Sequence, residues 1–205
     1  MGKPLPNGTN GATKWAALTT RPSVMAGVAC VVIGAALWVA FTRAPGPLRI
    51  GSTAPEFTLP EMNAVGFSLR NDRHHVLLVN FWATWCPPCV METPSLEKFA
   101  RQMRPLGVRV IGVSVDQNKP DLASFISDYH LSFPILRDPR QALASRFGTY
   151  KFPETYIFDR NGRLAEKIIG AADWEDPRMI EFVKALAHWP PVHSSNDAKA
   201  AAGNW

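Results

Sequence analysis

Cysteine is scarce in this chain. The sequence has three cysteines, and two of them, Cys86 and Cys89, are separated by only two residues. A small scaffold held together by several disulfides is therefore excluded. A zinc site made from two such pairs is disfavoured as well, since Cys30 lies in a different segment and His74 and His75 fall outside the usual ligand spacing. The pair is thus expected to be redox-active rather than half of a metal site, and we predict no metal and no cofactor beyond it.

Acidic residues are absent from the first 50 positions, which hold five of the 22 basic residues. The remainder has 17 basic and 17 acidic residues and is formally neutral. The net charge of +5 therefore belongs to the first 50 residues and not to a folded domain. A nucleic-acid partner is not expected, because a binding domain would carry the basic patch itself.

Charge is also missing from residues 24–41, which are almost entirely apolar. At about 1.5 Å per residue this segment would span about 27 Å as a helix, close to the thickness of a bilayer core. No small-residue cleavage site follows it, so we predict an uncleaved transmembrane anchor, in which Cys30 is a small apolar residue and not a lipid attachment point. Basic residues before the anchor favour a cytoplasmic N-terminus and a domain in the periplasm, at the inner membrane. The predicted segments are a leader (1–22), the anchor (23–42), a linker (43–50), a domain (51–190) and a disordered tail (191–205).

The central stretch of the domain joins a strand pattern to a two-cysteine turn and then to a helix. Residues 76–79 are a short apolar run, as expected for a strand covered on both faces. The strand pattern stops at Cys86, and a proline is tolerated in the first turn of a helix because its missing N–H would have no intrahelical partner there. Beyond the turn, Leu96, Phe99 and Met103 follow helical spacing. The sequence therefore predicts a helix that begins at the first cysteine.

The chemistry of the pair follows from this placement. A helix N-terminus favours negative charge on Cys86, which makes it the candidate nucleophile. Attack of its thiolate on a substrate disulfide would give a mixed disulfide, which the less exposed Cys89 would resolve.

These motifs resemble a known family. The segment FWATWCPPC, followed by Glu92 and Pro94, looks like the membrane-anchored thioredoxins of the TlpA/ResA/CcmG type, which are related to the AhpC/TSA proteins. The segment GSTAPEFTLPEMNAVGFSL is similar to the N-terminal hairpin that those proteins share with peroxiredoxins, and KFPETYIFDRNG is similar to the family's stretch around a cis-proline. The resemblance, from about residue 51 to 189, implies an α/β thioredoxin fold. This fold has a central mixed sheet flanked by helices, an N-terminal β-hairpin and an inserted βα-type element, preceded here by one transmembrane helix.

Patterns elsewhere agree with that fold. Residues 108–115 form a second run rich in β-branched residues, which predicts another interior strand. Residues 133–136 are expected to form the short inserted strand. The segments 155–158 and 164–169 flank an Asn-Gly turn and predict a hairpin. A final helix is expected to begin at Asp176 and Pro177.

The resemblance implies a role for an acidic residue three positions after the second cysteine, here Glu92. Thioredoxin itself has a buried acid where this chain has Asn80, and an amide cannot accept the resolving thiol's proton. In the anchored family the acid after the second cysteine lies near the pair. Glu92 is therefore a candidate catalytic residue, and the alternative is a solvated helix glutamate.

A second set of residues is expected to bind substrate. Family resemblance makes Pro153 the cis-proline that faces the cysteines, and the alternative is an ordinary trans proline at a strand start. Phe152 would then offer its backbone N–H and C=O to an extended substrate segment. Trp85 is expected to be an exposed apolar platform beside Pro87, whereas Trp82 is expected in the core.

The predicted function is reduction of protein disulfides outside the cytoplasm. Resemblance suggests apocytochrome c or copper-site proteins as substrates, and a membrane electron donor of the thiol-disulfide transporter type. The alternatives are a disulfide-donating oxidase and a copper-binding chaperone, although His130 and His188 stand in no motif that favours copper. A peroxidase would need a P-x-x-x-T-x-x-C setting, which is absent.

Overall fold

The computed structural model describes residues 22–42, 47–62, 67–69 and 74–188. The chain divides into two compact units, residues 1–45 and 46–205. Several predicted features lie wholly or partly outside the described residues, namely the leader, half of the linker, the N-terminal hairpin turn and the C-terminal tail.

The first unit contains helix α1 (Pro22–Thr42). Val31, Val32 and Ile33 are exposed on this helix, and Cys30 is exposed and free. Among the residues that the structure describes, no helix has the length and the apolar character needed to cross a membrane. The transmembrane anchor predicted over 23–42 is therefore not shown by the structure.

A five-stranded mixed sheet forms the centre of the second unit. Its strands are β3 (Val76–Trp82), β4 (Val108–Ser114), β5 (Ile135–Arg137), β6 (Glu154–Phe158) and β7 (Leu164–Ile169). Their order in the sheet is β5-β4-β3-β6-β7. Strand β4 pairs in parallel with both β3 and β5, whereas β6 runs antiparallel to β3 and β7. All seven residues of β3 are buried, as its apolar run predicts for a strand covered on both faces.

Helices cover both faces of this sheet, as the thioredoxin fold requires. The elements on the two faces are α2 (Pro87–Met103), α3 (Lys119–Asp128), α4 (Ala142–Phe147), α5 (Pro177–His188), β1 (Thr58–Leu59) and β2 (Phe67–Ser68). On one face, Leu96 and Phe99 of α2 and Val183 of α5 pack with Val76 and Leu78 of the central strand. On the other face, α3 and α4 pack together with a short antiparallel hairpin made of β1 and β2. Strand β3 ends at Trp82 between these two layers. The turn formed by residues 83–86, called the redox turn below, begins at its carboxyl end.

The inserted strand is the clearest shift from the sequence prediction. It was expected at 133–136, whereas β5 spans Ile135–Arg137. Pro134 has no N–H to donate to a ladder, so regular pairing begins after it. Its carbonyl nevertheless accepts a 2.9 Å hydrogen bond from the N–H of Gly112 in β4.

Candidate active site

The redox pair lies where the central strand gives way to helix α2. After Trp82 the chain makes a turn in which the N–H of Cys86 donates to the carbonyl of Ala83 at 3.3 Å. Cys86 is the N-cap of α2 in an extended conformation, so the prediction that the helix begins at the first cysteine is confirmed. A disulfide joins Cys86 to Cys89, whose Cα atoms are 5.3 Å apart. Cys89 is 1% exposed and Cys86 is 5% exposed, which leaves Cys86 as the more accessible sulfur.

Two prolines occupy the first helical positions after the N-cap. Pro87 is exposed and Pro88 is half-buried. A free N–H in the first turn of a helix normally stabilises an anion at the N-cap. Neither proline has an N–H, so two of the donors that could stabilise a Cys86 thiolate are missing.

Glu92 is buried one helical turn beyond Cys89. Its side chain is only 4% exposed, which rules out the alternative of a solvated helix glutamate. Its Oε1 accepts a 2.9 Å hydrogen bond from Nδ2 of Asn80. Its Oε2 accepts hydrogen bonds from the N–H of Ala172 at 3.0 Å and from Nε1 of Trp174 at 3.3 Å. One carboxylate therefore accepts from three donors in two separate parts of the chain, strand β3 and the connection between β7 and α5.

The environment of Glu92 changes its acidity. Burial disfavours the charged carboxylate and raises the pKa of Glu92, while hydrogen bonds from Ala172, Asn80 and Trp174 offset part of this effect. Asn80 itself cannot release or accept the proton, but its amide also donates to Oγ1 of Thr155 at 2.9 Å. Asn80 thus orients the carboxylate, and Glu92 is the group in this cluster that can carry a proton.

The raised pKa of Glu92 predicts a particular pH dependence of stability. The folded chain holds this proton more tightly than the unfolded chain, whose glutamate has a pKa of about 4.3. The stabilisation from Glu92 is therefore complete below that value and is lost as the pH rises through the folded-state pKa. Relative to Glu92→Gln, the wild-type free energy of unfolding should fall as the pH rises above about 4.3 and should level off once the pH exceeds the folded-state pKa of Glu92, as measured by urea unfolding. The exposed Glu181→Gln serves as control, and a difference between wild type and Glu92→Gln that is constant with pH would contradict the prediction.

The loop that contains Phe152 and Pro153 lies beside Trp85 of the redox turn. The Phe152–Pro153 peptide bond is cis, which confirms that prediction, and the carbonyl of Pro153 accepts a 2.8 Å hydrogen bond from the N–H of Gly170. Trp85 is 63% exposed, and its ring meets that of Phe152 edge-on, with centroids 6.2 Å apart. Trp82 is buried at 3% exposure, as predicted for a core residue. The structure therefore brings two of the predicted substrate-binding residues, Trp85 and Phe152, into contact.

Sequence reasoning missed a buried ion pair next to the proline. Glu154 follows Pro153 directly and is fully buried, and its Oε1 lies 2.6 Å from Nζ of Lys167 on the neighbouring strand. The same ammonium lies 5.0 Å from the centroid of the Tyr156 ring. In the β6–β7 register Lys167 stands opposite Tyr156, which shares a face with Glu154. The alternation of β6 residues was the available signal, because it turns Glu154 and Tyr156 to one side.

Trp174 was also missed. It is fully buried, donates to Glu92 and packs against Phe99 with ring centroids 5.4 Å apart. It lies in the connection between β7 and α5, outside any periodic pattern, so the sequence offered no signal for its burial.

The fold and the Cys86–Cys89 pair together define a thioredoxin-like thiol-disulfide oxidoreductase. Among the described residues no cluster of three or more metal-ligating side chains occurs. The model of the AhpC/TSA family matches residues 50–167, and the chain belongs to that family.

Named relatives agree with this assignment. The thiol-disulfide oxidoreductase ResA of Geobacillus thermodenitrificans is 29% identical over 153 residues, which cover 74% of this chain and 88% of that protein. The thioredoxin-like protein YneN of Bacillus subtilis is 29% identical over 136 residues, or 65% of this chain and 79% of that protein. These relatives and the family support thiol-disulfide oxidoreductase activity and identify the chain as a thioredoxin-like protein of the TlpA/ResA/CcmG type.

Solved structures show the same fold. StoA from Bacillus subtilis is 23% identical and has a TM-score of 0.54, with coverage of 65% of this chain and 97% of that one. A thiol:disulfide interchange protein of the thioredoxin family from Chlorobium tepidum is 23% identical and has a TM-score of 0.59, with coverage of 68% and 99%.

Proposed function

We propose that this oxidoreductase works as a reductase of protein disulfides. The observation that carries this proposal is the pair of prolines at the first two positions of α2. A dithiol becomes a strong oxidant when its reduced form is stabilised, as in the oxidase whose nucleophilic cysteine has a pKa of about 3.5 and whose potential is about −120 mV. The absence of N–H donors beside Cys86 leaves the thiolate, and with it the reduced form, less stable, and this lowers the reduction potential. The potential of this pair is therefore expected below about −200 mV, on the thioredoxin side of the scale.

The reaction proceeds in two exchanges. The Cys86 thiolate attacks one sulfur of the substrate disulfide, forming a mixed disulfide and releasing the other substrate sulfur as a thiolate. The Cys89 thiol then loses its proton and attacks the Cys86 sulfur, which frees the second substrate thiolate and closes the Cys86–Cys89 bond. The substrate gains two electrons and the protein loses two. Glu92, buried one turn beyond Cys89 with a raised pKa, is the proposed acceptor of the Cys89 proton.

The substrate is proposed to bind as an extended segment beside Pro153. Within the described residues no backbone hydrogen bond engages the N–H or C=O of Phe152, so both are available for strand-like pairing. The exposed ring of Trp85 and the exposed Pro87 supply apolar surface next to the nucleophile.

The cellular setting is proposed from the sequence. The uncharged segment 24–41 with its basic leader supports an anchored protein with the domain in the periplasm, which alkaline phosphatase fused after Arg49 would test. A reductant in an oxidising compartment must be recharged, so a membrane donor that passes electrons from the cytoplasm is part of the proposal. Family resemblance supports apocytochrome c and copper-site proteins as the substrate classes.

A trapping experiment tests the proposed function. In Cys89→Ser the mixed disulfide formed by Cys86 cannot be resolved, so disulfide-linked complexes with periplasmic proteins should accumulate and vanish on reduction. The matched control is the double variant Cys86→Ser with Cys89→Ser, which should trap nothing. Equilibration of the wild-type pair with glutathione gives the direction of reaction, and a potential above about −150 mV would favour disulfide donation instead. An absence of trapped proteins in Cys89→Ser would contradict the proposal.

A further inference from the structure

Another buried carboxylate, Asp116, lies at the redox turn, and neither the family relationship nor the proposed reaction assigns it a role. Asp116 follows strand β4 and is 2% exposed. Its oxygens accept hydrogen bonds from the backbone N–H of Thr84 at 3.1 and 3.2 Å and from the Thr84 hydroxyl at 2.7 Å. The Ser114 hydroxyl donates to it at 2.7 Å and accepts from the Asp116 N–H at 3.0 Å. Two groups of one residue, Thr84, are thus held by a single side chain.

Thr84 lies within the redox turn, between the end of β3 and Cys86. It is the first central residue of the turn that begins at Ala83 and closes with the N–H of Cys86. The second central residue is Trp85, whose ring is exposed and rests edge-on against Phe152. The orientation of the backbone at Thr84 therefore sets both the direction of the Trp85 ring and the approach of the chain to the nucleophile.

The neighbouring strand supports the same turn from a second point. The N–H of Val115 donates to the carbonyl of Trp82 at 3.0 Å, which continues the β3–β4 ladder up to the start of the turn. Asp116 is the residue directly after this last ladder hydrogen bond. Its side chain binds Thr84, two residues beyond Trp82, where the chain has left the sheet and backbone pairing with β4 has stopped.

We propose that Asp116 is a positioning residue, which holds Thr84 so that Trp85 and Cys86 are presented together to a polypeptide substrate. This inference rests on the proposed binding of an extended segment beside Pro153. Asp116 does not touch the reacting sulfurs in this scheme. Its effect should therefore appear with substrates that extend along Trp85 and Phe152, and should be small with a disulfide that meets only the sulfurs.

Other buried carboxylates of the domain provide a comparison. Glu97 is 7% exposed, accepts the N–H of Ser132 at 2.8 Å and pairs with Arg101, and it lies about two helical turns beyond Cys89. It resembles Asp116 in burial and in accepting a backbone N–H from a loop, but it binds no residue of the turn. Glu97→Gln is thus a matched control for the general loss of a buried carboxylate.

The test compares two substrates across a small set of full-length variants. The substrates are glutathione disulfide and a synthetic peptide with an internal disulfide flanked by apolar residues. Asp116→Ala is expected to raise the KM for the peptide about tenfold, because small displacements of positioning groups weaken productive binding. Its kcat for the peptide and its rate with glutathione disulfide should stay within about twofold of wild type. Thr84→Val, which loses only the hydroxyl hydrogen bond to Asp116, should raise the same KM by about threefold. Thr84→Ser keeps a hydroxyl, so its KM should stay near the wild-type value.

Each outcome decides the matter. An unchanged peptide KM in both Asp116→Ala and Thr84→Val would overturn the proposal, as would an equal KM rise in Glu97→Gln. Equal losses with both substrates would also overturn it, because they would place the effect on the sulfur chemistry. Should Asp116→Ala fail to fold, Thr84→Val and Thr84→Ser carry the same comparison. A wild-type chain that reduces glutathione disulfide but not the peptide would overturn the proposed function, and this inference with it.

Discussion

Lys167→Met is expected to lower the free energy of unfolding by about 3 to 5 kcal/mol, because it leaves a buried charge without its partner. Glu154 is fully buried, and the Lys167 ammonium at 2.6 Å is its counter-charge. Methionine has a similar length and fills the same space, so the loss reports on charge rather than on packing. Urea unfolding at pH 7 measures the change.

Two further variants separate this effect from the general loss of a lysine. Lys184→Met removes a surface pair with Glu181 and should cost no more than about 1 kcal/mol. Adding Glu154→Gln to Lys167→Met removes the unpaired charge and should recover part of the lost stability. A loss below about 1 kcal/mol in Lys167→Met would show that the pair contributes little.

Pro87→His is expected to raise the reduction potential of the Cys86–Cys89 pair by about 30 to 60 mV, which is a tenfold to hundredfold change in the equilibrium constant. The substitution restores a backbone N–H in the first turn of α2 and adds a side chain that can carry positive charge. Both changes stabilise a thiolate at Cys86 and therefore the reduced form. Equilibration with glutathione followed by counting of free thiols measures the shift.

The control for this prediction is another proline of the same helix. Pro94 is exposed inside α2, about one and a half turns beyond Cys89 and outside the first turn of the helix, so Pro94→Ala should leave the potential unchanged. A Pro87→His potential equal to that of wild type would show that donors in the first turn do not govern the direction of this pair. The reductase proposal would then lose the observation that carries it.

The parts of the site that could be predicted from the sequence are those that local chemistry determines. The buried strand β3, the helix that begins at Cys86 and the Asn-Gly hairpin follow from apolar runs, proline and turn residues. The cis bond before Pro153 followed from a family motif. These features need only a few neighbouring residues for their recognition.

The environment of Glu92 could not be predicted in the same way. Two of its donors, Ala172 and Trp174, lie 80 and 82 positions further along the chain, in a connection with no periodic pattern. The ion pair of Glu154 with Lys167 likewise depends on the register between β6 and β7. Tertiary contacts of this kind decide burial and pKa, which is why the sequence left Glu92 open between a solvated and a functional role.

The order of strands in the sheet affects how accessible Cys86 and Cys89 are while the chain is being synthesised and folded. Strand β3 leads into the redox turn, yet its antiparallel neighbour β6 pairs Leu77 with Phe158 and Phe81 with Glu154. Contacts this distant in sequence form late, because a long loop must close before they contribute. While the chain is being synthesised, the central strand has no β6 partner until residue 158 has emerged. Cys86 and Cys89, which the folded domain buries to 5% and 1% exposure, are therefore accessible to oxidants until β6 has paired with β3.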